Sequence, residues 1–303
     1  MLLHYSTNSF KRTYGIFYYN RIAIFIQLCW AAIVWLIHNQ VGYDLSVSVI
    51  PVTILGGALA IFLGFRNNSA YDRWWEARKV WGAIVNVSRN FGTQVVAYID
   101  DKEDQNTLIH RHIAWLYVLN MHLRKNIDLS TVSHYMDDKF CKMLQTAKNK
   151  PVQILHRQGK VVTELLRNGQ ITEFQHSMLM GDIRIMYQEQ GKAERIKNTV
   201  FPFYYNYFTR LFLWVFILLL PCALVDGMNF MLIPITAMVS FVFYILDKSG
   251  EVTEEPFEGR AADTPMSSIC RAIEIDMLQQ IDAEDLPDTL PIQYTKYGAA
   301  YID

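Results

Sequence analysis

Residues 49–65 carry no charge, and the segment directly after them holds Arg66, Asp72, Arg73, Glu76 and Arg78. No proline interrupts this region after Pro51, so one helix can run through both halves. A helix that is apolar for 17 residues and then abruptly charged suits a membrane–water boundary. Within the apolar half, Gly56, Ala60 and Gly64 recur every four residues, a small-residue stripe that lets another helix approach closely. The neighbouring stripe carries Gly57, Ile61 and Phe65 at the same spacing. From spacing alone, two uses of this second stripe stay open. It is an aliphatic packing face, or several copies around an axis turn Ile61 and Phe65 into an apolar constriction that gates by dewetting.

Three further uncharged runs cover residues 22–37, 211–225 and 228–246. Basic residues flank both pairs of runs: Lys11, Arg12 and Arg21 before the first, Arg66, Arg73, Arg78 and Lys79 after the second. Arg195, Lys197 and Arg210 precede the second pair, and Lys248 follows it. The intervening connections hold only Asp44 and Asp226 as charged residues. The positive-inside rule then gives four spans, both connections outside and both termini cytoplasmic, in a plasma (inner) membrane. Tyr14, Phe17, Tyr18 and Tyr19 suit headgroup depth, and residues 1–20 lack the pattern of a cleaved signal peptide.

The expected organisation is all-α: a polytopic membrane protein with a helical bundle outside the bilayer. Residues 1–98 form a membrane hairpin whose second helix extends into the cytosol, and 99–200 a cytosolic helical bundle. Residues 201–248 form a second hairpin turning at Asp226-Gly227, and 249–303 a cytosolic helix and tail. In the bundle, residues 101–106 read as a polar break. Helices are expected at 107–124, 133–149, 151–168 and 172–195, with Pro151 in a first turn and Gly169 as a stop. An amphipathic helix is expected at 266–281, and no sustained strand pattern occurs.

The phrase GALAIFLGFRNNSAYDRWWEARKVWG, with FLGFRNN and RWWEAR as its most specific parts, resembles the bestrophin family in its bacterial branch. ICRAIEIDMLQQ at 269–280, followed by DLPDTLP, is a second match, and with the spacing of apolar segments the resemblance spans nearly the whole chain. It implies a homopentameric channel for monovalent ions with four membrane helices per subunit around a central pore. The family's neck of three apolar side chains falls on Gly57, Ile61 and Phe65 here. Glycine at the first position leaves that ring missing or wider. A second, cytosolic aperture falls within 171–175, where Ile171 and Gln175 are expected to share a helix face, Ile171 giving an apolar ring or Gln175 a polar one. The family norm is chloride and other anions. Asp72, about two helical turns beyond Phe65, would instead place negative charge at the pore mouth, unless it pairs with Arg73, Arg78 or another subunit. Asn68, with Asn67, lines the widening mouth or serves as a cap or interhelical hydrogen-bonder. The calcium clasp of animal bestrophins is not expected, because Arg260-Ala261-Ala262 replaces the dense acidic run, leaving 250–263 as a solvated acidic loop. In the family the tail wraps a neighbouring subunit.

No cofactor, metal site or enzymatic activity is expected. The formal net charge of −1 argues against nucleic acid as a partner. Cys29, Cys141, Cys222 and Cys270 are scattered without a C-x-x-C and read as free thiols. His110 and His112 lie two apart, which points them away from each other on a helix, and read as surface residues. No G-x-S-x-G, G-x-G-x-x-G or P-loop occurs. Partners are then other copies of the chain, the lipid bilayer and monovalent ions. The alternative from another class is a membrane-anchored scaffold whose bundle binds a soluble partner.

Overall fold

The computed structural model describes residues 9–199, 203–294 and 300–301. Helix α1 (Ser9–Tyr19) leads into α2 (Arg21–Leu36), which continues through a π turn at Ile37–Val41 and stops at Gly42, whose φ is 77°. A left-handed residue after a helix is where glycine costs least. After a short connection, α3 (Val49–Tyr98) runs unbroken for 50 residues. At 1.5 Å per residue it is about 75 Å long, more than twice the hydrocarbon thickness of a bilayer.

Asp101 caps α4 (Lys102–Leu123) by accepting from the backbone N–H groups of Glu103 and Asp104. Residues 101–106, expected as a break, are therefore the cap and first turn of α4, where Glu103 and Asp104 complement the helix dipole. A 3-10 segment (Leu129–Tyr135) and α5 (Asp138–Thr146) replace the single helix expected over 133–149. The chain is extended at Met136, and Asp137 restarts the helix by capping Phe140. Asn149 caps α6 (Lys150–Arg167) with Pro151 in its first turn, and Gly169 follows it at φ 72°. Thr172 opens α7 (Glu173–Asn198) with a capping box to Gln175.

Helix α8 (Phe203–Met228) keeps Pro221 inside it. A 3-10 turn (Asn229–Met231) then joins it to α9 (Leu232–Thr253). The reversal falls at Asn229, with φ 43°, and not at Asp226-Gly227. Asparagine tolerates that left-handed conformation, and Gly227 stays helical. The hairpin is antiparallel: Phe216 meets Phe243 at 4.9 Å between ring centroids, and Arg210 lies 3.9 Å from Asp247. Helix α10 (Met266–Gln280) follows. A two-residue antiparallel pairing joins β1 (Gln293–Tyr294) to β2 (Ala300–Tyr301).

Three stretches of the described residues are helical, long and apolar enough to cross a membrane: Arg21–Val41, Val49–Tyr98 and Tyr204–Thr253. The last comprises both arms of the α8–α9 hairpin. Their packing is local. Gly56 receives α8 so closely that a Cβ there would lie 2.9 Å from Phe216. Ala60 and Gly64, the other small residues of that stripe, face outward, so close approach is confined to Gly56. The far half of α3 supplies the spine of a separate core. Trp81, Ile84 and Phe91 bury against Trp115 and Leu119 of α4, Met186 of α7 and Met277 of α10. All four cysteines are free, and Cys270 is buried in this core.

Candidate functional site

One face of the apolar half of α3 is covered and the opposite face is bare. Leu59, Leu63 and Arg66 are each about 1% exposed against α8 and α9, whereas Ile61 is 62% and Phe65 64% exposed. Gly57, Asn68 and Asp72 continue the bare face. A Cβ at Gly57 would meet nothing within 4 Å, so packing within the chain does not demand glycine there. The result is an apolar stripe ending in an amide and a carboxylate, on a helix rigid enough to hold their spacing.

Asp72 has no ion-pair partner among the described residues. Arg73 does not neutralise it, because its guanidinium donates to the backbone carbonyls of Ile196 and Thr199 at the end of α7. The two asparagines divide their roles. Asn67 donates to the carbonyl of Leu246 on α9 at 3.2 Å, and Asn68 stays on the bare face.

Behind the stripe lies a feature that local sequence reading assigns only to the flank of a span. Arg66 is buried and pairs with Asp247, with Glu254 3.6 Å away. Arg210 reaches Glu251 at 3.3 Å, as Lys248 does at 2.9 Å. Three cations thus meet three carboxylates where α3, α8 and α9 converge. The sequence signal was present but nonlocal: Arg66 and Asp247 each end an apolar run. The acidic loop is not simply solvated. Besides Glu251 and Glu254, Glu255 pairs with Arg260 and Glu258 with Lys197. Asp263 accepts from the N–H groups of Glu258 and Arg260, and burial pushes its carboxyl up from the usual range. These oxygens are committed to cations and amides, which does not suit a calcium ion needing six to eight of them.

The two aperture candidates do not share a helix face. Ile171 precedes α7 and is buried in the core, and Gln175 bonds back to the Thr172 N–H at 2.8 Å in the capping box. The first turns of α7 expose Phe174 and Met178 instead, with Phe174 at 73%.

His112 is not a surface residue. It is buried, stacked on Phe91 at 5.3 Å, with Nε2 2.9 Å from the Ser88 hydroxyl. Desolvation holds its pKa down to about 3. His110 is half-buried and also lowered, first by burial and then by His134. Glu274 of α10, within the second matching phrase, is buried beneath the hydroxyls of Tyr117 and Tyr135, both of which donate to it. Burial and this hydrogen bonding push both phenols well above the usual tyrosine range. Helix α10 is thereby fixed to α4 by a polar clamp as well as by its apolar face.

Residues 19–279 match the family described as bacterial/fungal bestrophin protein. The chain belongs to the bestrophin family. Among similar curated bestrophin relatives, the "voltage-dependent anion channel-forming protein YneE" of Salmonella typhi is 32% identical over 266 residues, covering 88% of this chain and 84% of that one. The protein of the same name from Escherichia coli K12 is 32% identical over 253 residues, covering 84% and 82%. A crystal structure of a bacterial bestrophin homologue from Klebsiella pneumoniae superposes with a TM-score of 0.82 at 24% identity, covering 86% of this chain and 98% of that one. The bestrophin fold is therefore shared along nearly the whole length.

Proposed function

We propose that this bestrophin is a homopentameric channel for monovalent ions, with the bare faces of five α3 helices turned toward the symmetry axis. The observation that carries this reading is the exposure of Ile61 and Phe65 on a helix whose opposite face is fully covered. A contiguous exposed apolar surface marks a face meant for lipid, a partner or a pathway. Here it runs into Asn68 and Asp72, which suit water and not hydrocarbon. Rings of Ile61 and Phe65 bind no ion strongly. They control hydration, and the missing side chain at Gly57 widens the entrance above them.

The hairpin formed by α8 and α9 supplies two crossings, which with α2 and α3 gives four and leaves both termini in the cytoplasm of a plasma membrane. Residues 1–98 and 201–248 are then the membrane part, and 99–200 with 249–303 the cytosolic part. Ile171 and Gln175 are occupied in the core and the cap, so a cytosolic aperture at the start of α7 would be set by Phe174. The relatives named for anion channels favour anion passage, and the unpaired Asp72 favours cations.

The test is conductance of the purified protein in planar bilayers. Replacing both Ile61 and Phe65 by alanine should raise the single-channel current. An unchanged current in the double variant contradicts the neck, and a monomer that passes no ions favours a membrane-anchored scaffold.

A further inference from the structure

We propose that His38, Asp44 and Asp226 form a binding site for a first-row divalent cation of the zinc type, clamping the α2–α3 connection to the end of α8. One ligand atom from each residue lies within 4.8 Å of the other two. His38 Nε2 is 3.3 Å from Asp226 Oδ1, and Nδ1 is 3.7 Å from Asp44 Oδ1. The two contacts use opposite ring nitrogens, and one ion takes only one of them. The Nε2–Asp226 separation already matches the about 3.3 Å between ligands each about 2.0–2.1 Å from a tetrahedral zinc, and the Asp44 carboxylate, within 4.8 Å, has to swing in to complete the set.

The three ligands come from elements that are tied down independently. His38 belongs to the π turn that ends α2, a backbone irregularity often found at functional sites. The Leu45 N–H lies 3.5 Å from its Nδ1. Asp44 accepts from the Ser46 N–H at 2.8 Å, which orients its carboxylate within the connection. The Val47 N–H donates to the Cys222 carbonyl at 3.1 Å, fastening the connection to α8 before any ion binds. Trp35 and Phe230 pack edge to face at 6.0 Å beside the same junction.

Charge argues in the same direction. Asp44 is the only charged residue between His38 and Ser48, and Asp226 the only one between Leu211 and Leu246. Two carboxylates are thus held close together with a histidine between them and no lysine or arginine on either segment. One imidazole and two carboxylates suit zinc and its first-row neighbours, with water in the fourth position. Calcium needs more oxygens than these residues offer. On the four-crossing topology proposed above the site faces the outside. The binding itself does not depend on that reading, nor on channel activity.

The experiment is calorimetric titration of zinc chloride into the full-length protein in detergent at pH 7.5, with thermal unfolding as a second readout. Wild type should bind one ion per subunit at this site and unfold at a higher temperature with zinc. His38→Ala and Asp226→Asn should each weaken this binding by at least about tenfold and lose the thermal shift. Magnesium and calcium should give neither effect. Both changed side chains lie outside the packed cores, and equal unfolding temperatures without metal will show that the variants fold. Zinc binding that is the same in wild type and both variants overturns the site, since the other histidines would then account for it. A wild type that takes up no zinc also overturns it.

Discussion

Arg66 on α3 and Asp247 on α9 form an ion pair across 181 residues of sequence, with 1% and 7% of their side chains exposed. It sits where the apolar half of α3 ends, directly behind the face carrying Ile61 and Phe65. A buried pair of this kind contributes little over an apolar pair of the same shape, but losing one member strands the other charge.

Asp247→Ala should therefore destabilise the protein by about 3–5 kcal/mol, because Glu254 at 3.6 Å only partly replaces the lost carboxylate. The double change Arg66→Met with Asp247→Leu should recover most of that loss. Chemical unfolding in detergent, followed by tryptophan fluorescence, measures both. A double variant no better than the single would show that the pair is not an isolated unit.

Gly250 and Gly57 make a matched pair of tests. A Cβ at Gly250 would lie 2.2 Å from Asn67 Oδ1, and one at Gly57 would meet nothing within 4 Å. Gly250→Ala should cost about 1–3 kcal/mol by pushing Asn67 off the Leu246 carbonyl. Gly57→Ala should be neutral to stabilising by about 1 kcal/mol, since glycine is a poor helix former. Thermal midpoints that rank the two the other way would contradict the packing of α3 on α9.

His112 makes stability depend on pH. Its folded pKa is held down to about 3 by burial, against about 6.5 in an unfolded chain. Above about pH 6.5 neither state carries the proton, and the group has no effect. As pH falls below that value the unfolded chain takes up a proton that the folded chain refuses, so stability is lost progressively down to the folded pKa. The slope from this one group is about 1.4 kcal/mol per pH unit across the window. Unfolding free energies at pH 7.5, 6.0 and 5.0 should show wild type losing more than His112→Asn. Parallel pH profiles would mean that His112 takes up its proton without leaving the fold.

Asp72 bears on ion choice. It is exposed, unpaired among the described residues and on the same bare face as Phe65. Asp72→Asn should shift the reversal potential in asymmetric salt toward the anion equilibrium potential. No shift would remove this carboxylate from the selectivity argument.

Much of this architecture was legible in the sequence because it is written in short-range patterns. The unbroken α3, the first-turn Pro151 of α6, the stop at Gly169 and the common face of Ile61 and Phe65 follow from spacing and local backbone chemistry. The misreadings came from tertiary contacts. His112 looks exposed in a polar stretch, yet Phe91 and Ser88 of α3 bury it. Arg66 looks like a flanking charge until Asp247 arrives from the other end of the chain. Ile171 and Gln175 look like one helical face, but Thr172 starts the helix between them. The hairpin turns at Asn229, which takes the left-handed conformation, while Gly227 stays helical and the Asp226-Gly227 dipeptide does not turn.

The most direct test of an inward-facing α3 is current through a Phe65→Cys channel in a planar bilayer exposed to a charged, membrane-impermeant thiol reagent. The account predicts that current falls irreversibly in this variant while wild type, with its four native cysteines, is unaffected. Full chemical modification of the introduced thiol with no change in current would contradict it, placing that side chain away from the path of the ions.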